Sequence, residues 1–133
     1  MLKHMTAAAA AFLFLCGAAL ADPTGSYDVV GENPNTGGEY QGTVSVSRTG
    51  QTYRVVWSIA GQNYVGTGLG AVFENDTFRI GGATPNDAAL SVGYISGQSF
   101  GMAFYIEQDD GSFEGVWTYA GSNKVARETW YPR

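Results

Sequence analysis

Residues 53–59 read Tyr-Arg-Val-Val-Trp-Ser-Ile, and this stretch decides the fold class. Large apolar side chains occupy every second position from Tyr53 to Ile59, and Arg54 and Ser58 lie between them. Successive side chains of a β-strand point to opposite faces, so a period of two indicates a strand with one buried face. The stretch therefore predicts a half-buried strand.

The same alternation recurs along most of the chain, at 40–47, 100–106 and 113–119. Short clusters of Gly, Asn, Asp and Ser separate these runs, as tight hairpins require. The predicted turns are 48–50, 60–61, 74–76, 96–97, 109–111 and 121–123. Together they predict eight or nine short antiparallel strands joined mostly by hairpins.

A meander of that length must protect its edge strands, and closure into a barrel removes the edges. We therefore expect an all-β fold, a small antiparallel up-and-down β-barrel or a strongly curved meander of 8–9 strands, with a β-sandwich as the alternative. No long helix is expected. Thr84-Pro85-Asn86-Asp87 resembles a helix cap and predicts at most a single helical turn over 88–90.

A glycine follows an aromatic residue by two positions in Tyr40-Gln41-Gly42, Tyr64-Val65-Gly66 and Phe113-Glu114-Gly115. Each pair lies on one face of its strand. The pattern predicts rings that cover glycines of their own strand, where the sheet of a small barrel bends.

The first 21 residues have the three parts of a secretory signal peptide. Lys3 precedes an apolar run over 6–20, and Ala19-Leu20-Ala21 offers small residues at the cleavage site. Cleavage after Ala21 would leave 22–133 as a single domain in the periplasm or outside the cell. Cys16 follows Leu15, which is a poor match to a lipidation site.

The chain contains one Cys and one His, Cys16 and His4, and both belong to the predicted signal peptide. The remainder has no Cys or His to hold a metal ion, and no Cys nucleophile or His general base. We therefore expect no cofactor, no metal and no enzymatic activity.

The net charge of the chain is −5, and removal of Lys3 makes the remainder more acidic. An acidic surface disfavours nucleic acid and anionic lipid. Stable membrane insertion is not expected, since most strands carry polar side chains on their second face. The acidity is compatible with a basic protein partner.

Four aromatic residues are candidates for an open barrel end: Tyr53, Trp57, Tyr64 and Trp117. Glu128 is a fifth candidate, since it shares a face of the last strand with Trp130. If Trp130 faces the core, Glu128 is drawn inside and needs a polar partner. That partner is either an internal Arg or a bound ligand.

Two neighbouring stretches, 90–95 and 99–106, are apolar on both faces. Strands of this kind are covered on the outside as well. Ile95, Ala103 and Tyr105 are the predicted members of the covered outer face. The cover is either another part of this chain or a second copy, so the oligomeric state stays open.

A set of motifs resembles a family of small exported bacterial proteins often labelled fibronectin-binding protein, over most of residues 25–130. These motifs are Tyr27-Asp28-Val29, Tyr40-Gln41-Gly42-Thr43-Val44, 50–59, Tyr64-Val65-Gly66-Thr67-Gly68, 111–117 and Glu128. The resemblance implies a barrel-like fold and an extracellular-matrix partner, and it implies no catalytic residues.

Three functions are compatible with these observations. The first is an exported binding protein that recognises a host-matrix or other protein. The second is a carrier that holds a small apolar or aromatic ligand inside the barrel. The third is a periplasmic inhibitor of a basic enzyme such as a lysozyme. The volume inside the barrel separates the first from the second.

Overall fold

The computed structural model describes residues 22–133, which form nine β-strands and no helix. The predicted signal peptide, residues 1–21, lies outside the described residues. The strands are β1 (Gly25–Glu32), β2 (Glu39–Thr49), β3 (Thr52–Ile59), β4 (Gln62–Glu74), β5 (Thr77–Gly81), β6 (Asp87–Ser96), β7 (Ser99–Glu107), β8 (Phe113–Tyr119) and β9 (Ala126–Pro132).

Eight of these strands close into an antiparallel barrel in the order β1-β2-β3-β4-β6-β7-β8-β9. β9 pairs with β1, with Trp130 opposite Val29, and this pairing joins the two ends of the sheet. β3 pairs with β4, with Trp57 opposite Tyr64. The prediction of a small antiparallel barrel is therefore confirmed, and the β-sandwich alternative is wrong.

β5 lies outside the barrel wall and pairs with the last part of β4, Gly70–Glu74. The turn that joins them contains Asn75 and Asp76, with φ of 53° and 60°. Two successive residues with positive φ are typical of a type I′ turn, which forms the two-residue loop of many β-hairpins. The β4–β5 hairpin thus extends the wall at one end of the barrel.

Trp130 lies at the centre of the barrel core and is 0% exposed. Its ring centroid is 4.0 Å from that of Tyr105, 5.7 Å from that of Tyr27 and 6.1 Å from that of Phe113. These rings come from four different strands. The apolar contact among them closes the end of the barrel where β1 begins and β9 ends, which we call the packed end.

Aromatic rings cover glycines, but on the neighbouring strand instead of their own. A Cβ placed on Gly31 would meet Tyr40, and one on Gly101 would meet Tyr94. Each of these tyrosines is paired directly across from the glycine that it covers. A Cβ on any of the three predicted glycines would likewise first meet atoms of neighbouring strands, for example Tyr105 at Gly115. The prediction of same-strand contacts is therefore wrong, because the direct cross-strand neighbour is closer than the residue two positions along the strand.

The hydrogen bonds of a helix cap do form at Thr84, but no helix follows. The backbone N–H of Thr84 donates to Asp87 Oδ2 at 2.9 Å, and the N–H of Asn86 donates to Thr84 Oγ1 at 3.0 Å. The chain then enters β6 at Asp87. The predicted helical turn over 88–90 is wrong, because Leu90 and its neighbours pair with β4 and β7.

Glu107 ends β7 at the packed end, and its Oε2 is buried without a hydrogen-bond partner in the described part of the chain. Desolvation raises the pKa of this carboxyl above 4.5. An acid with a raised pKa favours folding when it is protonated. Its stabilising effect is therefore present at low pH and is lost as the pH rises through the folded-state pKa.

Replacement of Glu107 by Gln should increase thermal stability at pH 7, because the amide carries no charge to desolvate. The gain should disappear below pH 4, where Glu107 is protonated. Thermal unfolding at both pH values measures it, with Glu114→Gln, an exposed site on β8, as the control. An equal gain at both pH values would contradict the role of the Glu107 charge.

Candidate functional site

A cavity of about 250 Å³ lies inside the barrel at the end opposite the packed end. Its lining is dominated by six aromatic residues: Tyr40, Trp57, Tyr64, Tyr94, Tyr105 and Trp117. Ile59, Ala103, Asn33 and Glu128 complete it. The residues at its mouth lie next to the β1–β2 loop and the turns that follow β3, β6 and β8. We call this end of the barrel the cavity end.

Glu128 faces the interior and is 4% exposed. It is drawn inside because it lies two positions before Trp130, which occupies the core. This is the arrangement expected if Trp130 faces inward. A buried carboxylate is strongly destabilising unless donors replace its lost water.

Four side chains supply those donors. The Nε1–H groups of Trp57 and Trp130 donate to Glu128 Oε1 at 2.8 Å and 2.7 Å. The hydroxyl of Tyr105 donates to the same oxygen at 2.8 Å. The hydroxyl of Tyr40 donates to Oε2. Because an indole N–H can only donate, Oε1 acts as an acceptor in this network.

No arginine pairs with Glu128, so the predicted alternative of an internal Arg is wrong. Every Lys and Arg of residues 22–133 is exposed: Arg48, Arg54, Arg79, Lys124, Arg127 and Arg133. Arg127 is next to Glu128 in β9 and points outward, as strand geometry requires. Neutral aromatic donors thus hold the carboxylate inside the barrel without a neutralising charge.

Burial and the negative charge of Glu128 raise the pKa values of three tyrosines around the cavity. Burial raises the pKa of Tyr94 to about 12, and the negative charge of Glu128 adds to the effect. Burial and the same carboxylate also raise the pKa values of Tyr40 and Tyr105 well above 10. All three hydroxyls therefore remain protonated near neutral pH and are available as donors.

Pairs of aromatic rings meet at steep angles along the cavity wall. Trp57 and Tyr94 have centroids 5.7 Å apart and ring planes at 61°, and Tyr40 and Trp117 are 6.2 Å apart at 71°. Such edge-to-face contacts fix the orientation of the rings. Trp117 is held further by donation of its Nε1–H to the backbone oxygen of Glu32 at 3.1 Å.

The structure brings together four of the five predicted candidates, Trp57, Tyr64, Trp117 and Glu128. Tyr53 is the exception. It lies toward the packed end, where its hydroxyl donates to Asp87 Oδ2 at 2.5 Å. Tyr53 does not line the cavity, because it shares the face of Trp57 but is four residues away along the strand.

Tyr40, Tyr94 and Tyr105 belong to the site and were not among the predicted candidates. Tyr94 lies two positions after Val92 in β6, so the alternation of the strand places both side chains on one face. This alternation could have identified Tyr94 from the sequence. Tyr105 was assigned to the outer face because β7 is apolar on both sides. For that strand, periodicity identifies two faces without showing which one is inside.

Ala103 and Tyr105 are 3% and 1% exposed and point into the barrel, so their assignment to an outer face is wrong. Ile95 does point outward, with 72% of its surface exposed. The outer side of β7 instead carries Phe100, Met102, Phe104 and Ile106. Nearby, Phe104 lines an apolar depression on the outside of the barrel together with Ile80 of β5 and Ala89 of β6.

No protein-family model and no curated protein matches this chain.

Two further findings concern residues 22–133. They contain no group of three His, Cys, Asp or Glu side chains placed to hold a metal ion. Within the same range, no helix is long and apolar enough to cross a membrane.

Proposed function

We propose that this protein is an exported, non-enzymatic binding protein that holds a small aromatic or apolar ligand in the cavity end of its barrel. One observation carries the proposal, namely the cavity of about 250 Å³ with six aromatic residues in its wall. An eight-stranded barrel is just wide enough to be filled by its own side chains or to hold one small ligand. Here side chains fill the packed end and leave the cavity end open.

The size and lining of the cavity restrict the ligand. Most ligand pockets have volumes of about 300–1,000 Å³ and combine apolar walls with a few polar groups. This cavity lies just below that range, and Glu128 and Asn33 contribute polar side chains to its lining. The proposal therefore concerns a small molecule of about one or two rings, and a long acyl chain would not fit.

Tryptophan fluorescence provides a direct test, because Trp57 and Trp117 line the cavity. Titration with indole and with 2-phenylethanol, two small neutral aromatic probes, should change the emission and saturate. Binding should also raise the melting temperature, since a ligand at 100 times its Kd adds about 2.7 kcal/mol of stability.

Ala103→Phe should abolish this binding, because the new ring would occupy the cavity that Ala103 lines. Met102→Phe places the same ring one position away on the outer face, where Met102 is 60% exposed, and should leave binding unchanged. Equal affinity in both variants would contradict a site inside the barrel. Tyr64→Ala, at the half-buried mouth, provides a second variant if Ala103→Phe does not fold.

Recognition of a protein partner is the second candidate function. The observation that favours it is the exposed apolar row on the outer side of β7, where Phe100 is 63% and Phe104 is 46% exposed. The resemblance noted above suggests a matrix protein as the partner. Immobilised fibronectin should then retain the protein at physiological salt, and Phe100→Ser should weaken retention. Loss of all binding at that salt would indicate charge attraction alone.

A further inference from the structure

The charge inside the cavity is not neutralised by any described side chain. Glu128 is the one Asp or Glu among the described residues of the lining, and the lining includes no Lys, Arg or His. The exposed Lys and Arg side chains face bulk solvent. An ion that enters this space therefore meets a negative group in a largely apolar surrounding, where electrostatic attraction is much stronger than in water.

The two oxygens of Glu128 are used unequally. Oε1 accepts three hydrogen bonds, from Trp57, Tyr105 and Trp130. Oε2 accepts one, from Tyr40. Each oxygen of a carboxylate offers about two acceptor positions, so Oε1 is fully used and Oε2 keeps about one position free. Its single described donor, Tyr40, is itself a lining residue, which places this capacity beside the cavity.

The walls of the cavity suit a cation as well. Trp and Tyr rings attract positive charge over their faces, and proteins use aromatic cages to bind alkylated ammonium groups. Trp57, Tyr64, Tyr94 and Trp117 all line the space, and the ring pairs Trp57–Tyr94 and Tyr40–Trp117 meet at steep angles instead of stacking flat.

Other ligand classes fit the same lining less well. An anion would be repelled by Glu128. A neutral apolar molecule would contact the rings but leave the charge of Glu128 uncompensated, so it should bind more weakly than a cation of the same shape. A cation with an apolar body both compensates the charge and covers the rings.

We infer that the ligand is a small organic monocation, an amine or alkylated ammonium ion with an apolar body, bound with its charge against Glu128 and its body against the aromatic wall. This inference rests on the proposed function, since it names the ligand class of the same cavity.

Three probes with the same ring and chain but different head groups test it: phenethylamine, 2-phenylethanol and 3-phenylpropionate. At pH 7 and physiological salt these carry charges of about +1, 0 and −1. Isothermal titration with the protein of residues 22–133 should give an affinity for the amine at least about tenfold higher than for the alcohol, a difference of about 1.4 kcal/mol. The propionate should not bind measurably.

Glu128→Gln should reduce the preference for the amine to about twofold or less, while 2-phenylethanol still binds. Glu114→Gln removes one negative charge from the exposed side of β8 and should keep the full preference. Tyr40→Phe retains the carboxylate and frees Oε2, so it should keep or increase the preference. Near-ultraviolet circular dichroism checks that each variant is folded. If Glu128→Gln does not fold, Tyr40→Phe still tests the role of the carboxylate.

The outcomes separate the two proposals. If the amine and the alcohol bind equally and Ala103→Phe abolishes both, the cavity is a ligand site and the inference of a cation is overturned. If none of the three probes binds to the unmodified protein, the proposed function and the inference both fail. An amine preference that survives Glu128→Gln would place the cation elsewhere and overturn the role of Glu128.

Discussion

Replacement of Trp130 by Ala is expected to lower the free energy of unfolding by about 3–5 kcal/mol, the usual effect of removing a buried Trp or Phe side chain. Trp130 is 0% exposed, and its ring contacts Tyr105 with centroids 4.0 Å apart. Its loss would leave a void between strands from opposite sides of the barrel. It would also remove one of the donors to Glu128.

Chemical denaturation measures this change. Tyr131→Ala is the matched control, because Tyr131 is the next residue in β9, points outward and is 47% exposed. Substitution there should change stability by about 0.5 kcal/mol or less. Similar losses at the two positions would show that β9 is stabilised by strand pairing and not by the core. A small domain is stable by only about 5–15 kcal/mol, so the loss at Trp130 is a substantial share of the total.

The second large effect is expected at Glu128, where Leu should destabilise the protein by about 3 kcal/mol or more. Leu has no acceptor, so the donors of Trp57, Trp130 and Tyr105 lose their shared partner. Each buried donor left without a partner costs about 1–3 kcal/mol. The hydroxyl of Tyr105 can rotate toward another acceptor and so recover part of the loss. The indole N–H groups cannot, because each is fixed by its ring.

Glu128→Gln separates the hydrogen bonds from the charge. Its amide oxygen can accept the three hydrogen bonds now made to Oε1, and its amide N–H₂ can donate to the hydroxyl of Tyr40. We therefore expect Gln to cost less than half as much as Leu in urea unfolding. Equal losses for Gln and Leu would mean that charge, and not hydrogen bonding, keeps this position polar. A Leu variant as stable as the unmodified protein would contradict the network itself.

The alternation of side chains predicted strands correctly wherever one face was polar. In β3, Arg54 and Ser58 mark the outside, so Trp57 was placed inside from the sequence alone. In β9, Glu128 was placed beside Trp130 by the same period of two. Residue order along a strand gives the face of a side chain, and it requires no knowledge of the neighbouring strands.

Two positions depended on the tertiary structure. The inward direction of Tyr105 follows from pairing of β7 with β6 and β8, because β7 itself is apolar on both faces. Tyr53 and Trp57 share a face but lie about 13 Å apart along the strand, at a rise of about 3.3 Å per residue, and so at different depths of the barrel.

The partners of Glu128 are the clearest case of the difference between the two kinds of information. The sequence predicted an all-β chain and placed Glu128 on the same strand face as Trp130, so that Glu128 is buried if Trp130 is. Only closure of the barrel decided what meets that carboxylate, because Tyr40, Trp57 and Tyr105 come from β2, β3 and β7. Period-two patterning is a local property of one strand, whereas contacts across a barrel depend on the register of all eight strands around it.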